Sequence, residues 1–519
     1  MTAGPTGTVP VRSRWFVLAV LCLVQLVVVL DNTILTVAVP SLTRDLGATT
    51  ADIQWVINAY ALVMAGLLLT AGSVVDRYGR RRMLLVGLVV FGLASAAAAA
   101  SQTSAHLVAA RGLLGLGGAL LTTATLAVAM QVFGPAERPR AIGIWAAVNA
   151  LGFAAGPPVG GLLLAHYRWP AIFLVNLPVV AICLVAALVL VPESRHRAGR
   201  LDLVGALLST VGLGTAVFAI IQGPEQGWTS RPVLGASVGA AVLIAAFVAW
   251  ERHTPAPMLD VHFFRNRRFV GAISGVVLIT FGSAGALFLL AQQLQFVREY
   301  PAWEAGARMA PFALTVVLLN VCGVAALLIR RLGIPLAIAA GMTTLAAGLV
   351  VAAYAPPDGY PVLLVGLLLM GAGCAVANPA IVEAVLSSIP PERAGTGAGI
   401  DGTMSEVGGS LGVAVLGAVL NARFTAALPV ALAGAGSFPA AVAAAGTAAE
   451  RDEVASAFND AVVVGQTVGA VAVLVGGCLA GLLVHRAGRR TPAPSGPEPV
   501  LPETGVRPDG VRRAVPAGR

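Results

Sequence analysis

The chain has 519 residues, of which 57% are hydrophobic and only 11% are charged, whereas a soluble domain carries about 25% charged residues. This composition excludes a soluble globular protein and indicates a polytopic helical membrane protein. All 33 basic residues are arginines, and they outnumber the 24 acidic residues. Because these arginines fall mostly in polar loops, the net positive charge does not indicate nucleic-acid binding.

A membrane-spanning helix needs about 20 mostly apolar residues, and fourteen such stretches follow one another along the chain. The predicted fold class is therefore all-α, with fourteen transmembrane helices. The predicted spans cover 15–39, 53–75, 83–101, 107–130, 140–164, 170–191, 202–221, 233–250, 269–293, 304–329, 334–354, 361–385, 395–420 and 461–484.

The first span carries an aspartate, Asp31, inside a run of apolar residues. A bare carboxylate near the middle of a bilayer costs roughly 3 kcal/mol or more, so such a group is expected to face the bundle interior or a cavity. A carboxylate in that place could bind and release protons. The alternative is a carboxylate that hydrogen-bonds only to fix the packing of the helices.

The short loop after the second span combines an acid, arginines and glycines. Asp76 is followed by Arg77, Gly79 and Arg80, and Gly72 lies one helical turn earlier. Glycines permit a tight turn and a close approach of helices, and Asp76 could cap or pair with a neighbouring helix end. We expect this loop to hold an inner gate closed. For the arginines, the alternative is the ordinary excess of positive charge on the cytoplasmic side.

The fourth span carries Arg111, which we interpret as the only basic residue inside the membrane, since Arg140 and Arg308 are assigned to the loops beside their spans. A lone arginine inside a membrane needs a partner, and its predicted depth is similar to that of Asp31. We therefore expect Asp31 and Arg111 to face one cavity, where Arg111 tunes Asp31. The alternative is an arginine whose side chain snorkels to the membrane surface.

The fifth span repeats a glycine at every fourth position, as Gly152, Gly156 and Gly160, with Gly161 beside the last. Residues four apart share one face of a helix, and small residues let helices pack closely. Pro157 removes a backbone hydrogen bond and bends the helix. We expect a smooth contact on which two halves of the protein rock, with plain tight packing as the alternative.

The thirteenth span carries two acids, Asp401 and Glu406, which a five-residue spacing places about 140° apart around a helix. With Asp31, they make three acids in the interior of the predicted spans against Arg111 alone, since Asp202, Glu304 and Glu383 lie at or near the ends of theirs. A cavity with net negative charge favours cations, so we expect lipophilic cations as substrates. The alternative is that these acids carry protons while the substrate is neutral.

Two loop sequences recur at one offset along the chain. DRYG at residues 76–79 returns as RRLG at 330–333, 254 residues later, and PAER at 135–138 returns as PPER at 390–393, 255 residues later. Spans 1–6 and 9–14 are therefore predicted to be two pseudo-symmetric six-helix bundles, with spans 7 and 8 inserted. The predicted domains are 1–192, 193–267 and 268–485, followed by a disordered tail at 486–519.

The distribution of arginines predicts the orientation in the membrane. The loops on one side and both tails hold 25 arginines, whereas the loops on the other side hold seven. Basic residues favour the cytoplasmic side, so both termini are predicted to be cytoplasmic. The heavy use of Ala, Gly, Arg and Pro is typical of a high-GC genome, and we expect a bacterial cytoplasmic membrane.

Four stretches together resemble the major facilitator superfamily, and specifically its fourteen-span drug:proton antiporter branch. They are LDNTILTVAVP at 30–40, GSVVDRYGRRR at 72–82, RGLLGLGGA at 111–119 and GFAAGPPVGG at 152–161. The resemblance covers nearly the whole chain except the tail. It implies a transporter without a cofactor, and not an enzyme, and it places Arg111 in proton coupling.

The chain departs from the family pattern at two places. Leu114 stands where the family commonly has glutamine, and Ser405 with Glu406 stands where an arginine–glutamine pair is expected. The second departure adds an acid and removes a base, which agrees with a preference for cations.

The sequence therefore predicts proton-driven efflux of drugs by alternating access, with a small-molecule drug, protons and the lipid bilayer as partners of a monomer. No nucleic acid, metal or disulfide is implied. Three alternatives stay open: an importer or uniporter of the same fold, a subunit of a respiratory proton pump, and a receptor or scaffold. The respiratory subunits use intramembrane lysines, and this chain has none.

Overall fold

The structure is a computed structural model that describes residues 11–35, 38–46, 50–194, 202–254, 257, 259, 261–356, 359–390, 393–429, 432 and 438–488. Within these residues the chain is helical and contains no β-strand. The α-helices are α1 Val11–Ile34, α2 Val39–Leu46, α3 Thr50–Tyr78, α4 Arg80–Ala99, α5 Ser104–Val132, α6 Arg138–His166, α7 Ala171–Leu174, α8 Asn176–Leu190, α9 Leu203–Gln226, α10 Arg231–His253, α11 Arg267–Gln292, α12 Ala302–Val321, α13 Val324–Leu332, α14 Ile334–Ala353, α15 Tyr360–Leu386, α16 Ala394–Ala427, α17 Phe438–Ala444 and α18 Ala448–Gly488. A 3-10 helix, Val261–Arg265, precedes α11, and a π-helical turn, Gln293–Val297, follows it.

Thirteen helical stretches in the described part of the chain are long and apolar enough to cross a membrane. A bilayer core offers no hydrogen bonds to backbone groups, so a chain crosses it as helices that satisfy those groups internally. The remaining predicted span is α6, whose 29 residues extend about 43 Å at 1.5 Å per residue. The prediction of an all-α membrane protein is confirmed, and α6 is long enough to be the fourteenth predicted span.

Several predicted elements differ from the structure in their bounds or continuity. The first span ends at Ile34 rather than near residue 39. The tenth is divided into α12 and α13, because Gly323 has φ +76, a left-handed conformation that glycine adopts without steric cost. The fourteenth begins thirteen residues early, at Ala448. Most of the predicted disordered tail, residues 489–519, lies outside the described residues.

The two halves of the protein repeat the same helix packing. The six long helices of the first half are α1, α3, α4, α5, α6 and α8, and those of the second half are α11, α12, α14, α15, α16 and α18. In each half the second helix packs on the fourth, the third on the fourth and sixth, and the first on the fifth and sixth. This recurrence confirms two pseudo-symmetric six-helix bundles.

The halves meet through equivalent pairs, because α3 packs on α16 and α6 packs on α12. The inserted helix α9 packs on both α3 and α16, and α10 packs on α9. The Thr70 and Thr210 hydroxyls, 3.0 Å apart, join α3 to α9. The insertion thus covers the contact between the halves on one side of the space that they enclose.

Candidate functional site

A cavity of about 1160 Å³ lies between the two halves. Its first-half wall carries the side-chain amides of Gln25, Asn32, Asn58 and Asn149. Its second-half wall carries Asp401 and Glu406, and aromatic rings come from both halves. Among the described residues that line this cavity, two are acidic and none is arginine or histidine. A pocket of this size and lining can enclose a drug-sized ligand.

Asp401 and Glu406 both lie on the α16 face that lines the cavity, about 140° apart around the helix. The polar lining between them includes Ser405, one turn after Asp401. Asp401 is 6% exposed, and its Oδ1 atom has no hydrogen-bond partner among the described residues. An unsatisfied buried acceptor costs about 1–3 kcal/mol, so a donor or cation in the cavity would be stabilised there.

Asp31 and Arg111 form an ion pair in the interior of the first half. Arg111 Nη1 donates to an Asp31 oxygen over 2.7 Å, and both side chains are 0% exposed. The second Asp31 oxygen accepts from Asn176 Nδ2 over 2.6 Å, and Asn176 also donates to the Ser95 hydroxyl over 3.2 Å. Three helices, α1, α5 and α8, therefore converge on one carboxylate.

Arg111 is completely buried, which excludes the snorkelling alternative. Its Nε donates to the Val56 carbonyl of α3 over 3.1 Å, and its guanidinium lies 4.5 Å from the centroid of the Tyr60 ring. Its Nη2 makes a longer 3.5 Å contact with Asn32. The fold thus supplies partners for the cation without access to water.

The ion pair lies behind the cavity wall. We expected Asp31 and Arg111 to face the cavity, yet neither is among the described residues that line it, whereas Tyr60 and Asn32 are. The reason is that Arg111 uses its donors on α1 and α3 and so draws the pair into the first half.

Asp76 joins the two halves near one end of the cavity, which is called the Asp76 end below. Its two carboxylate oxygens accept from the backbone N–H groups of Gly395 and Thr396, each over 2.9 Å. These groups begin α16 in the second half, where unpaired N–H groups and the helix dipole favour an anion. Apolar side chains of α5, α6, α15 and α16 pack together beside this contact.

The glycines of the same loop allow the two halves to touch. A Cβ atom on Gly72 would lie 2.2 Å from the carbonyl oxygen of Gly395. Gly79 has φ +110 and turns the chain from α3 into α4. Arg80 lies 3.3 Å from Asp76, whereas Arg77 lies over the ring of Tyr78.

The glycines of α6 pack within the first half. A Cβ on Gly152 would lie 3.0 Å from Val29, and one on Gly156 would lie 2.0 Å from the Thr33 hydroxyl, both on α1. We expected this face to be a contact between the halves; the structure instead uses it to bring α6 onto α1. Gly160 is buried, and a Cβ on Gly161 would meet nothing. The surroundings of the Pro157 side chain lie outside the described residues.

Sequence reasoning did not identify Asn176 or Tyr60 as site residues. Asn176 begins α8 in a strongly apolar segment, and such an isolated amide in a span is a signal that could have pointed to it. Tyr60 had no distinguishing signal, because its importance comes from its contact with Arg111. Among the described residues, no group of three or more His, Cys, Asp and Glu side chains could hold a metal ion.

Comparison with known proteins agrees with the fold and with the sequence motifs. The profile of the Major Facilitator Superfamily matches residues 21–413. The multidrug resistance protein Stp of Mycobacterium tuberculosis is 38% identical over 401 residues, which cover 77% of this chain and 74% of Stp. The methyl viologen resistance protein SmvA of Salmonella typhimurium is 34% identical over 424 residues, which cover 80% of this chain and 84% of SmvA.

A solved structure shows the same fold. The human organic anion transporter MFSD10 is 16% identical and matches with a TM-score of 0.62 over 90% of this chain and 99% of its own chain. The predicted resemblance is confirmed, and so is the prediction that the chain is not an enzyme, because the family and these relatives are transporters. The chain belongs to the major facilitator superfamily and is a multi-pass membrane transporter related to multidrug-resistance efflux proteins.

Proposed function

We propose that the protein exports lipophilic cations from a bacterial cytoplasm in exchange for protons. The observation that carries the proposal is the charge of the cavity, whose described lining has two carboxyl groups, several amides and no base. Such a site attracts cations, and its aromatic rings, among them Tyr60 and Trp145, favour an apolar or cationic body. The SmvA relative supports this substrate class, since methyl viologen is an organic cation.

Asp31 is the proposed proton site. With Asp31 ionised, its charge and that of Arg111 cancel across 2.7 Å. When a proton neutralises Asp31, the charge of Arg111 is no longer balanced, and it repels a cation in the nearby cavity. Two unit charges about 10 Å apart interact by about 1.7 kcal/mol at an effective dielectric constant of about 20, which changes an affinity by a little more than tenfold.

This electrostatic relation gives an exchange cycle. The drug binds when Asp31 is ionised, and protonation of Asp31 weakens drug binding and promotes release. Loss of the proton on the other side restores the ion pair and permits another drug to bind. The two bundles alternate between the sides of the membrane, and no cofactor takes part.

The arginine distribution supports an orientation in which the Asp76 end is cytoplasmic. With that orientation, the Asp76 contact with Gly395 and Thr396 closes the cytoplasmic side. The conformation is then one from which the drug leaves outward. Opening the cytoplasmic side requires that this contact separates, which makes it the proposed inner gate.

The test is ethidium efflux from cells that express the wild type, Asp31→Asn or Glu406→Gln, with and without an uncoupler. The proposal expects efflux that the uncoupler abolishes in the wild type and that Asp31→Asn loses. Glu406→Gln should lose ethidium efflux more strongly than efflux of a neutral drug. Wild-type efflux that is unchanged by the uncoupler would contradict proton coupling. Efflux of a neutral antibiotic without efflux of ethidium would contradict the cation preference.

A further inference from the structure

Tyr60 lies between the buried ion pair and the cavity. One face of its ring is next to the Arg111 guanidinium, 4.5 Å from the ring centroid, and the side chain also lines the cavity. Its hydroxyl donates to the Val28 carbonyl of α1 over 3.2 Å. Although it lines a cavity, the residue is 1% exposed, so it forms a tightly held part of the wall.

One face of α5 is shaped around this tyrosine. Arg111, Gly115 and Gly118 follow at intervals of four and three residues, so they share a helix face. A Cβ on Gly115 would lie 2.6 Å from the Tyr60 carbonyl oxygen, and one on Gly118 would lie 2.8 Å from the Tyr60 hydroxyl. The glycines therefore leave the space that the ring needs to reach Arg111.

Charged groups face Tyr60 from both sides. Asp31 of α1 and Arg111 of α5 lie on the side of the ion pair, and Glu406 of α16 lies on the side of the cavity. Arg111 holds α1 through Asp31 and α3 through the Val56 carbonyl and the Tyr60 ring. Neutralising Asp31 weakens the first attachment and leaves the second.

We infer that Tyr60 is the positioning residue through which the charge state of Asp31 and Arg111 reaches the drug site. This inference rests on the proposed function and adds a residue to it. When Asp31 binds a proton, Arg111 loses much of its attraction to α1 and is held mainly by its contacts with α3. The Tyr60 ring, which Arg111 contacts, then changes position and so alters the cavity wall that faces Glu406. The aromatic ring carries the effect, and the hydroxyl is not required for it.

The test measures ethidium affinity of the purified protein by fluorescence while the pH is lowered from about 8 to about 6. Coupling between two sites typically changes affinity by about fivefold or more, and the wild type is expected to lose affinity by such a factor as protons bind. Asp31→Asn defines the part of this pH dependence that comes from Asp31 rather than from the cavity acids Asp401 and Glu406. Tyr60→Leu should remove that same part, whereas Tyr60→Phe should keep it. Phe312→Leu is the matched control, because Phe312 also lines the cavity but belongs to α12 of the other half; its pH dependence should match that of the wild type.

A second pair of variants tests the same inference without loss of the ring. Gly118→Ala places a Cβ against the Tyr60 hydroxyl and should weaken the pH dependence. The double variant Gly118→Ala/Tyr60→Phe removes that hydroxyl and should restore it. This pair of variants also tests the role of Tyr60 if Tyr60→Leu does not fold.

The possible outcomes separate the inference from the function on which it rests. A wild type whose affinity is independent of pH would contradict the proposed proton coupling itself. A pH-dependent wild type, with equal dependence in Tyr60→Leu or without rescue of Gly118→Ala, would overturn the role of Tyr60 alone.

Discussion

Arg111 donates to Asp31 over 2.7 Å in a place where neither side chain is exposed. A buried ion pair adds little net stability over well-packed apolar residues, but removal of one partner leaves the other charge uncompensated and costs about 3–5 kcal/mol. Substitution of either partner is therefore costly. A proton on Asp31, in contrast, neutralises the pair reversibly, which suits it to a proton-dependent change.

This relation predicts non-additive effects on stability. Asp31→Asn and Arg111→Gln should each lower the thermal unfolding temperature in detergent, because each leaves one buried charge without its counterion. The double variant should recover much of the loss, with a coupling free energy of about 1 kcal/mol or more. If the loss of stability in the double variant instead equalled the sum of the two single losses, the two residues would not depend on each other.

Asn176 should matter for transport although no motif identified it. It donates to Asp31 over 2.6 Å, and a hydrogen bond to a charged group contributes about 1.5–3 kcal/mol. Asn176→Leu should reduce proton-driven ethidium efflux by about tenfold while ethidium binding stays measurable. Ser95→Ala, which removes only a neighbour of Asn176, is the control and should have a smaller effect. Equal losses in the two variants would contradict a direct role of Asn176 at Asp31.

Gly72 should tolerate no side chain in the closed conformation. A Cβ there would lie 2.2 Å from the Gly395 carbonyl oxygen and 3.0 Å from the Thr396 Cα atom, and backbone atoms cannot yield as a flexible side chain can. Gly72→Ala should impair efflux strongly without loss of expression. Gly161→Ala, whose Cβ would meet nothing within 4 Å, is the matched control and should transport normally. Normal efflux by Gly72→Ala would mean that the halves do not approach this closely during transport.

Asp76 should stabilise closure at its end of the cavity. Asp76→Asn removes the negative charge at the α16 N-terminus, where a carboxylate contributes about 0.3–1 kcal/mol and up to about 2 kcal/mol when partly buried. It also replaces one of the two acceptors with a donor. The fraction of closed molecules should fall, as measured by double electron–electron resonance between spin labels at Arg82 and Arg330, which are exposed near this end.

The labelling background for that experiment replaces Cys322 and Cys478 with serine, because these are the exposed cysteines among the five. Asp76→Glu keeps the charge and is the comparison variant. A distance distribution in Asp76→Asn identical to that of the parent would show that the carboxylate does not set the conformational equilibrium.

The fold was largely predictable from the sequence because a bilayer allows few solutions. Its thickness dictates the length of each apolar stretch, and the repeated loop sequences indicated two halves. The differences arise where contacts within the protein decide the conformation. Gly323 interrupts a continuous apolar run with a left-handed turn, and α18 extends beyond the predicted span, where Phe458 packs on Phe424 and Phe438.

The site was predictable only in part. Asp31 and Arg111 were brought together by reasoning that a charge inside a membrane needs a partner. The same reasoning did not show that they lie behind the cavity wall. That position depends on the contacts of Arg111 with the Val56 carbonyl and the Tyr60 ring, and nothing in the sequence marks these two groups as its partners. The glycines of α6 indicated close packing, but their spacing could not say that the neighbour is α1.

The most direct test of the central claim uses the purified protein in liposomes that are acidic inside and carry a pH-sensitive dye. Ethidium is added outside, and proton efflux is recorded for the wild type and for Asp31→Asn. Proton-coupled export through Asp31 predicts that ethidium dissipates the pH gradient in wild-type vesicles and leaves it unchanged in those with Asp31→Asn. Ethidium uptake without proton movement in the wild type, or equal proton movement in both proteins, would contradict it.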